Sequence, residues 1–315
     1  MKYTIKKSIT LIISLFIASI LTFTAFQIIP GDSALNALGM DATEEQLEAY
    51  REEMGLNKSL SVRYANWLKN ALKGDFGYSS QYQMQMKVSD LIMKRLTVTL
   101  WLALLSFLLI VAISIPLGIL SARKKNGILD SLISLVTQIF MSIPSFFLGM
   151  IITLIFGIIL KWFIPGGYIS PGENFGKFFR FMIFPAIAVA IPKIAMMVKF
   201  LRSSLLREID LDYVRTAKSK GMTNISILFR HILKNALIPV ITFLAMMLAD
   251  ILAGTILVEQ VFNLPGLGRL LVSSISNRDY AVVQAIVLYI VSVVILINFL
   301  VDLVYQWIDP RVKRD

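Results

Sequence analysis

Six apolar runs, each long enough to cross about 30 Å of hydrocarbon as a helix, constrain this chain more than any other feature. They lie at about residues 8–29, 97–122, 129–160, 182–201, 237–258 and 281–307. A soluble protein of this length can bury a large core without repeated runs of about 20 apolar residues. The chain therefore belongs in a membrane, as an all-α integral protein of six transmembrane helices. Composition agrees: 57% of its 315 residues are hydrophobic and 16% are charged, against roughly 25% charged in soluble domains. The third run is long enough to be tilted or broken at Pro144.

Lysine and arginine set the orientation. Lys2, Lys6 and Lys7 precede the first span, and Arg123, Lys124 and Lys125 fill the connector between the second and third. The connector between the fourth and fifth holds Lys199, Arg202, Arg207, Arg215, Lys218, Lys220, Arg230 and Lys234, and the tail adds Arg311, Lys313 and Arg314. Those seventeen of 31 basic residues share one side, while the short loops opposite hold five: Lys161, Lys177, Arg180, Arg269 and Arg278. The positive-inside rule then places both termini in the cytoplasm. Most of the net charge of +11 is thus topological, which argues against nucleic-acid binding. The first run exceeds the h-region of a secretory signal and no small-x-small cleavage site follows, so it is expected to remain a span.

Residues 30–95 are the only sizeable segment outside the spans, nearly charge-balanced, with two helical stretches, TEEQLEAYREEMGL and YANWLKNALKGDFG. They read either as a cap packed over the helices or as a surface for an external partner. A second extramembrane feature is the basic connector at about 203–236, with DYVRTAKSKGMTNISILFRHILKNALIP running from 212 to 239. Its first piece, 204–220, repeats Leu205, Ile209, Tyr213 and Ala217 at helical spacing. Its second puts Ile225, Leu228, Phe229, Ile232, Leu233, Ala236 and Leu237 on one helical face. Gly221 between them suits a turn with positive φ, Thr223 or Asn224 can cap the second helix, and Pro239 marks its passage into the next span. The pattern fits an ordinary loop or an elbow gripped by something outside the bilayer.

The chemistry excluded is as informative. There are no cysteines, so thiolate metal sites are ruled out, and His231, the only histidine, lies on the basic connector, which excludes histidine metal sites and a Ser-His-Asp triad. GENFGKF at 172–178 has three residues between its glycines and lacks Ser or Thr after Lys177, so it is a chance likeness to a phosphate loop. No cofactor is expected, and energy must come from a partner or an ion gradient. Lys193 lies near the middle of the fourth span and Asp250 near the middle of the fifth. A charge there is costly and usually faces a cavity. The two can pair, line a wet pathway or contact a charged substrate. Pro116, Pro144, Pro185 and Pro192, with Gly118, Gly149, Gly157 and Gly254, point to broken helices and close packing.

The connector resembles the cytoplasmic signature of permease subunits of bacterial ABC importers, in their dipeptide, oligopeptide and nickel variety. The residues that carry the likeness are Arg215-Thr216-Ala217, Gly221 and Leu237-Ile238-Pro239. The wider family favours Glu-Ala-Ala at the first triplet; Arg-Thr-Ala departs from it and looks like the peptide-importer subgroup. Further segments similar to that subgroup are Ile29-Pro30-Gly31-Asp32, Leu56 through Trp67, Gly74-Asp75-Phe76-Gly77 and Ile143-Pro144-Ser145-Phe146-Phe147. They continue with Val258-Glu259-Gln260-Val261-Phe262, Leu264-Pro265-Gly266-Leu267-Gly268, Asn277-Arg278-Asp279-Tyr280, Asp302-Leu303-Val304-Tyr305 and Ile308-Asp309-Pro310-Arg311.

The resemblance implies a type I ABC importer permease fold, one transmembrane domain over 1–315, in the bacterial plasma membrane. The long outer segment fits the first of the two permeases in such systems. Implied partners are a second homologous permease, two ATP-binding subunits, an external substrate-binding protein and lipid. The chain would have no catalytic site of its own, with ATP hydrolysed by the partner subunits. By analogy an ATPase would grip the elbow at Asp212, Tyr213, Arg215, Thr216, Ala217, Lys218, Lys220 and Gly221, with Pro239 closing the signature. The implied cargo is di- or oligopeptides, with nickel or a metal chelate as the alternative. A gradient-driven carrier is the reading of a different class, but it calls for repeat symmetry that the sequence lacks. Lys193 and Asp250 match no motif of the family.

Overall fold

In the computed structural model the apolar runs are helices, and the described residues are 2–28, 42–53, 55, 57–81 and 86–308. The motif at 29–32, Leu56 and the basic tail from Asp309 lie outside them. In chain order the elements are α1 (Lys2–Ile28), α2 (Glu44–Glu53), α3 (Leu60–Ala71), α4 (Val88–Arg123), α5 (Ile128–Ser142) and α6 (Ser145–Ile152). A π-helical stretch (Thr153–Ile159) prolongs α6, and α7 (Phe175–Ile209) and α8 (Asp212–Ser219) follow. Then α9 (Asn224–Ile227) runs through a second π-helical stretch (Leu228–Ile232) into α10 (Leu233–Val261), ahead of α11 (Leu267–Ser276) and α12 (Tyr280–Ile308). Among the described residues five helices are long and apolar enough to cross a membrane, or six when the pair bent at Pro144 is counted as one span.

The prolines behave differently from expectation. Pro116, Pro185, Pro192 and Pro239 all sit inside continuous helices. A proline removes one donor and crowds one carbonyl, a local defect that neighbouring helices can absorb. Only Pro144 breaks its span, with Ile143 extended at φ −93°, ψ 123° and the two halves bent by 98°. The restriction that proline places on the preceding residue accounts for that extended backbone. Pro239 therefore marks no boundary, since α10 begins six residues before it.

The core forms around α7, which packs against α4, α5, α6 and α10. Phe178, Met182, Met197, Leu201 and Leu205 of this helix are fully buried. A Cβ on Gly118 would lie 2.8 Å from Leu201 Cδ2, and one on Gly149 would lie 3.1 Å from Phe262. These glycines let helices approach closely where dispersion, not water exclusion, supplies the attraction. Gly254 does not belong with them, because a Cβ there would meet open space.

The segment 30–95 is in part a packed cap. Tyr64 and Trp67 of α3 pack edge-on and tilted against Phe23 of α1 at ring-centroid distances of 5.4 and 5.6 Å, and Tyr64 Oη pairs with Ser19 Oγ at 2.7 Å. Past α3, Ser79 donates to Asp279, and Gln81 donates to the Asn277 carbonyl at 2.9 Å. Two motifs far apart in sequence, around residues 74–81 and 277–280, thus meet at one end of the bundle. A 2.6 Å ion pair from Lys7 to Asp302 joins α1 to α12 at the other.

Candidate functional site

The elbow begins where α7 stops at Ile209. The expected single helix over 204–220 is two, because Leu211 is extended at φ −77°, ψ 152° and α8 starts anew at Asp212. Eight residues are too few for a stable isolated helix, so tertiary contacts must hold α8. Val214 and Ala217 are buried on its inner side. Tyr213 donates to Glu208 at 2.7 Å, and burial, with that hydrogen bond second, pushes its phenol up to about 12. The opposite side gives Asp212, Arg215, Thr216, Lys218 and Lys220 to solvent. Arg215 and Asp212 pair at 3.4 Å with side chains 74% and 96% exposed. Such a pair contributes little to stability, so both charges are available to a partner.

Gly221 closes α8 as expected. Its φ is +78°, its N–H donates to the Lys218 carbonyl at 2.9 Å, and Met222 N–H reaches back to Ala217 O at 3.3 Å. This is the paired capping pattern that satisfies the last carbonyls of a helix. Thr223 caps the next helix by accepting from Ser226 N at 3.3 Å. Beyond it the expected apolar face is only partly realised. Ile227, Leu228 and Ile232 are buried, but Ile225 and Phe229 are more than half exposed. The π-helical turn at Leu228–Ile232 inserts a wider period that shifts the face.

Beneath the elbow lies a polar anchor that sequence reasoning missed. Arg202 grips Asp130 with two 2.7 Å hydrogen bonds, and Asp130 also accepts from Ser121 Oγ at 2.6 Å and Asn126 N at 2.9 Å. Nearby, Lys125 and Asp210 approach to 4.0 Å. The end of α4, its connector and the start of α5 are thereby fixed to the last turns of α7, from which α8 projects.

Lys193 and Asp250 are brought together as an ion pair between α7 and α10. Lys193 also lines a cleft of about 280 Å³ with Ser142, Pro144, Ser145, Pro192 and Gly254. The break at Pro144 forms one wall. His231 lies half-buried within the π-helical stretch of the elbow.

A second missed group is Glu259, which is fully buried near the end of α10. Its carboxylate accepts from Thr99 Oγ1 at 2.6 Å, Gly268 N at 2.7 Å and Arg269 N at 3.2 Å, while Thr99 Oγ1 accepts from Leu267 N at 2.9 Å. The first three N–H groups of α11 are thus capped by side chains of α10 and α4, where a negative charge also suits the helix dipole. The glycines of the Leu-Pro-Gly-Leu-Gly motif follow from this: a Cβ on Gly266 would lie 2.3 Å from Glu259 Cδ, and one on Gly268 would lie 2.4 Å from Ile256 Cα. An acidic residue at a span's end, closely followed by two glycines and a short helix, was the available signal.

The family model described as "Binding-protein-dependent transport system inner membrane component" matches residues 114–314, which include the elbow, the cleft and Glu259 with the start of α11. The chain belongs to this family. The family's N-terminal model matches residues 1–103. The chain is 36% identical over 313 residues to the "Oligopeptide transport system permease protein AppB" of Bacillus subtilis, covering 99% of each chain. It is 35% identical over 311 residues to the "Probable peptide ABC transporter permease protein y4tP" of Sinorhizobium fredii, again 99% of each. A Brucella abortus protein described as a putative peptide transport system permease is 36% identical over 301 residues, 96% of this chain and 95% of the relative. Family and helices together make this a multi-pass inner-membrane protein with the type I ABC permease fold, whose family's work is transport.

Proposed function

We propose that this chain is a permease subunit of an ATP-driven peptide importer. It forms the translocation pathway with a second homologous permease and is worked by two ATP-binding subunits fed by an external substrate-binding protein. The cargo is di- or oligopeptides, as the names of the similar proteins indicate. The chain itself carries no catalytic centre and needs no bound cofactor, and ATP is hydrolysed on the partners.

The observation that carries this reading is α8. It is a short helix seated by Val214 and Ala217, capped at Gly221, and charged along its free side. Its base is stiffened by the Asp130–Arg202 anchor. A rigid projection mounted on the central helix is what an external motor needs to switch a gate between two packings. Arg215, Lys218 and Lys220 supply charge for docking. Both termini and the elbow lie in the cytoplasm, following the distribution of basic residues.

Two experiments test this. The complex purified in mild detergent with its ATP-binding subunits, placed in vesicles with the binding protein, takes up labelled peptide only with ATP. Uptake by this chain alone in ATP-free vesicles would identify a gradient-driven carrier instead. Because the chain has no cysteine, Arg215→Cys introduces a single thiol. A membrane-impermeant maleimide reaches it in inside-out vesicles and not in intact cells; the reverse pattern overturns the orientation.

A further inference from the structure

We propose that Asp250 reads the free amino terminus of a peptide in transit, with Lys193 as the positioning residue that aims its carboxylate. This rests on the reading of the chain as a peptide permease and names the chemistry that the pathway would select. The exposure of the pair is lopsided: the Lys193 side chain is 13% exposed and that of Asp250 is 68% exposed. A charge near mid-span that open to hydrocarbon costs about 2.5–3.5 kcal/mol on insertion scales, so Asp250 faces wet space beside the cleft. Lys193 donates to Oδ2 of Asp250, while Oδ1 accepts no hydrogen bond among the described residues. One oxygen is held and the other is offered.

The pair of Arg202 with Asp130 is built differently. Asp130 is held by a two-pronged arginine, a hydroxyl and a backbone N–H, and its side chain is 5% exposed. That pair is built to stay shut. Asp250 is held by one flexible lysine, a compact point charge that can shift as a second donor arrives. An α-ammonium is the complementary group, with three N–H donors and one positive charge. The cleft of about 280 Å³ lies near the lower bound of about 300 Å³ for ligand sites, enough for one end of a peptide.

The test uses the complete transporter in vesicles, with trialanine and N-acetyl-trialanine as probes. Asp250→Asn keeps the shape and a hydrogen bond to Lys193 but removes the charge. It is expected to lower trialanine uptake about tenfold or more, the size of one lost charge-assisted hydrogen bond. Stimulation of ATP hydrolysis by the loaded binding protein and uptake of the acetylated peptide should stay at the parental level, and Asp250→Glu should restore trialanine uptake. Equal loss of both peptides would mean a merely structural pair, and unchanged trialanine uptake would mean no contact; either overturns the proposal. Where the parent carries no measurable acetylated peptide, loss in Asp250→Asn with ATPase stimulation retained and recovery in Asp250→Glu decides for it, and any other pattern decides against it. A parent complex that moves neither peptide refutes the peptide-importer reading instead.

Discussion

Glu259→Ala removes the keystone that joins α4, α10 and α11. The change leaves two backbone N–H groups, of Gly268 and Arg269, and the Thr99 hydroxyl without their acceptor in a buried site. Each buried group left unpaired costs about 1–3 kcal/mol, so three together cost about 3 kcal/mol even at the low end. That is a change of about a hundredfold in the equilibrium by which the start of α11 opens. Hydrogen–deuterium exchange at Gly268 and Arg269 in the purified complex reads that opening directly. These amides should exchange about a hundredfold faster in Glu259→Ala than in the parent. Glu259→Gln should fall between the two, because its amide oxygen can still accept from both N–H groups. Its amide nitrogen, however, gives the Thr99 hydroxyl proton nowhere to go. Parental exchange rates in Glu259→Ala would refute the capping argument.

Three more outcomes follow from the geometry. At Gly221 a Cβ meets open space while φ is +78°, so Gly221→Ala and Gly221→Leu should cost the same, about 1–2 kcal/mol of backbone strain; both should insert normally but take up less peptide per ATP hydrolysed, and parental coupling would count against the elbow as a lever. Arg202→Met strands the Asp130 carboxylate, whose side chain is 5% exposed, and should destabilise the protein by about 3–5 kcal/mol in chemical unfolding, with Arg202→Met/Asp130→Leu recovering most of the loss. The Tyr213 phenol, pushed up to about 12 by burial and its bond to Glu208, keeps its proton above the ordinary value of 10; the difference in ultraviolet absorbance between parent and Tyr213→Phe should therefore show phenolate appearing near pH 12, and a midpoint near pH 10 would contradict the buried setting.

What could be read from the chain and what could not divide along a physical line. Apolar length located the spans because hydrocarbon thickness sets a minimum number of residues. Gly221 and Thr223 were legible because a positive φ and an N-cap are local demands on single residue types. Helix ends were not: α4 starts nine residues before its apolar run, and α7 extends past 182–201 at both ends, since a helix continues into regions that no longer need to be apolar. Three prolines expected to break spans do not, because neighbouring helices decide whether the defect propagates. The polar keystones were hidden for another reason. Thr99 and Glu259 are 160 residues apart, and Asp130 and Arg202 are 72 apart. No periodicity reports which remote side chain will arrive opposite a buried carboxylate. Lys193 and Asp250 stood out because charge inside a span is conspicuous alone, although that they touch was not.

The contact between Ser79 and Asp279 spans 200 positions of the chain. An early stretch of the polypeptide can therefore be fastened only after most of its helices have been made. Until α11 and α12 emerge, the bond from Ser79 to Asp279 cannot form, and closing so long a loop is slow. That bond is accordingly among the last to be secured, a buckle done up after the bundle beneath it has been laid down.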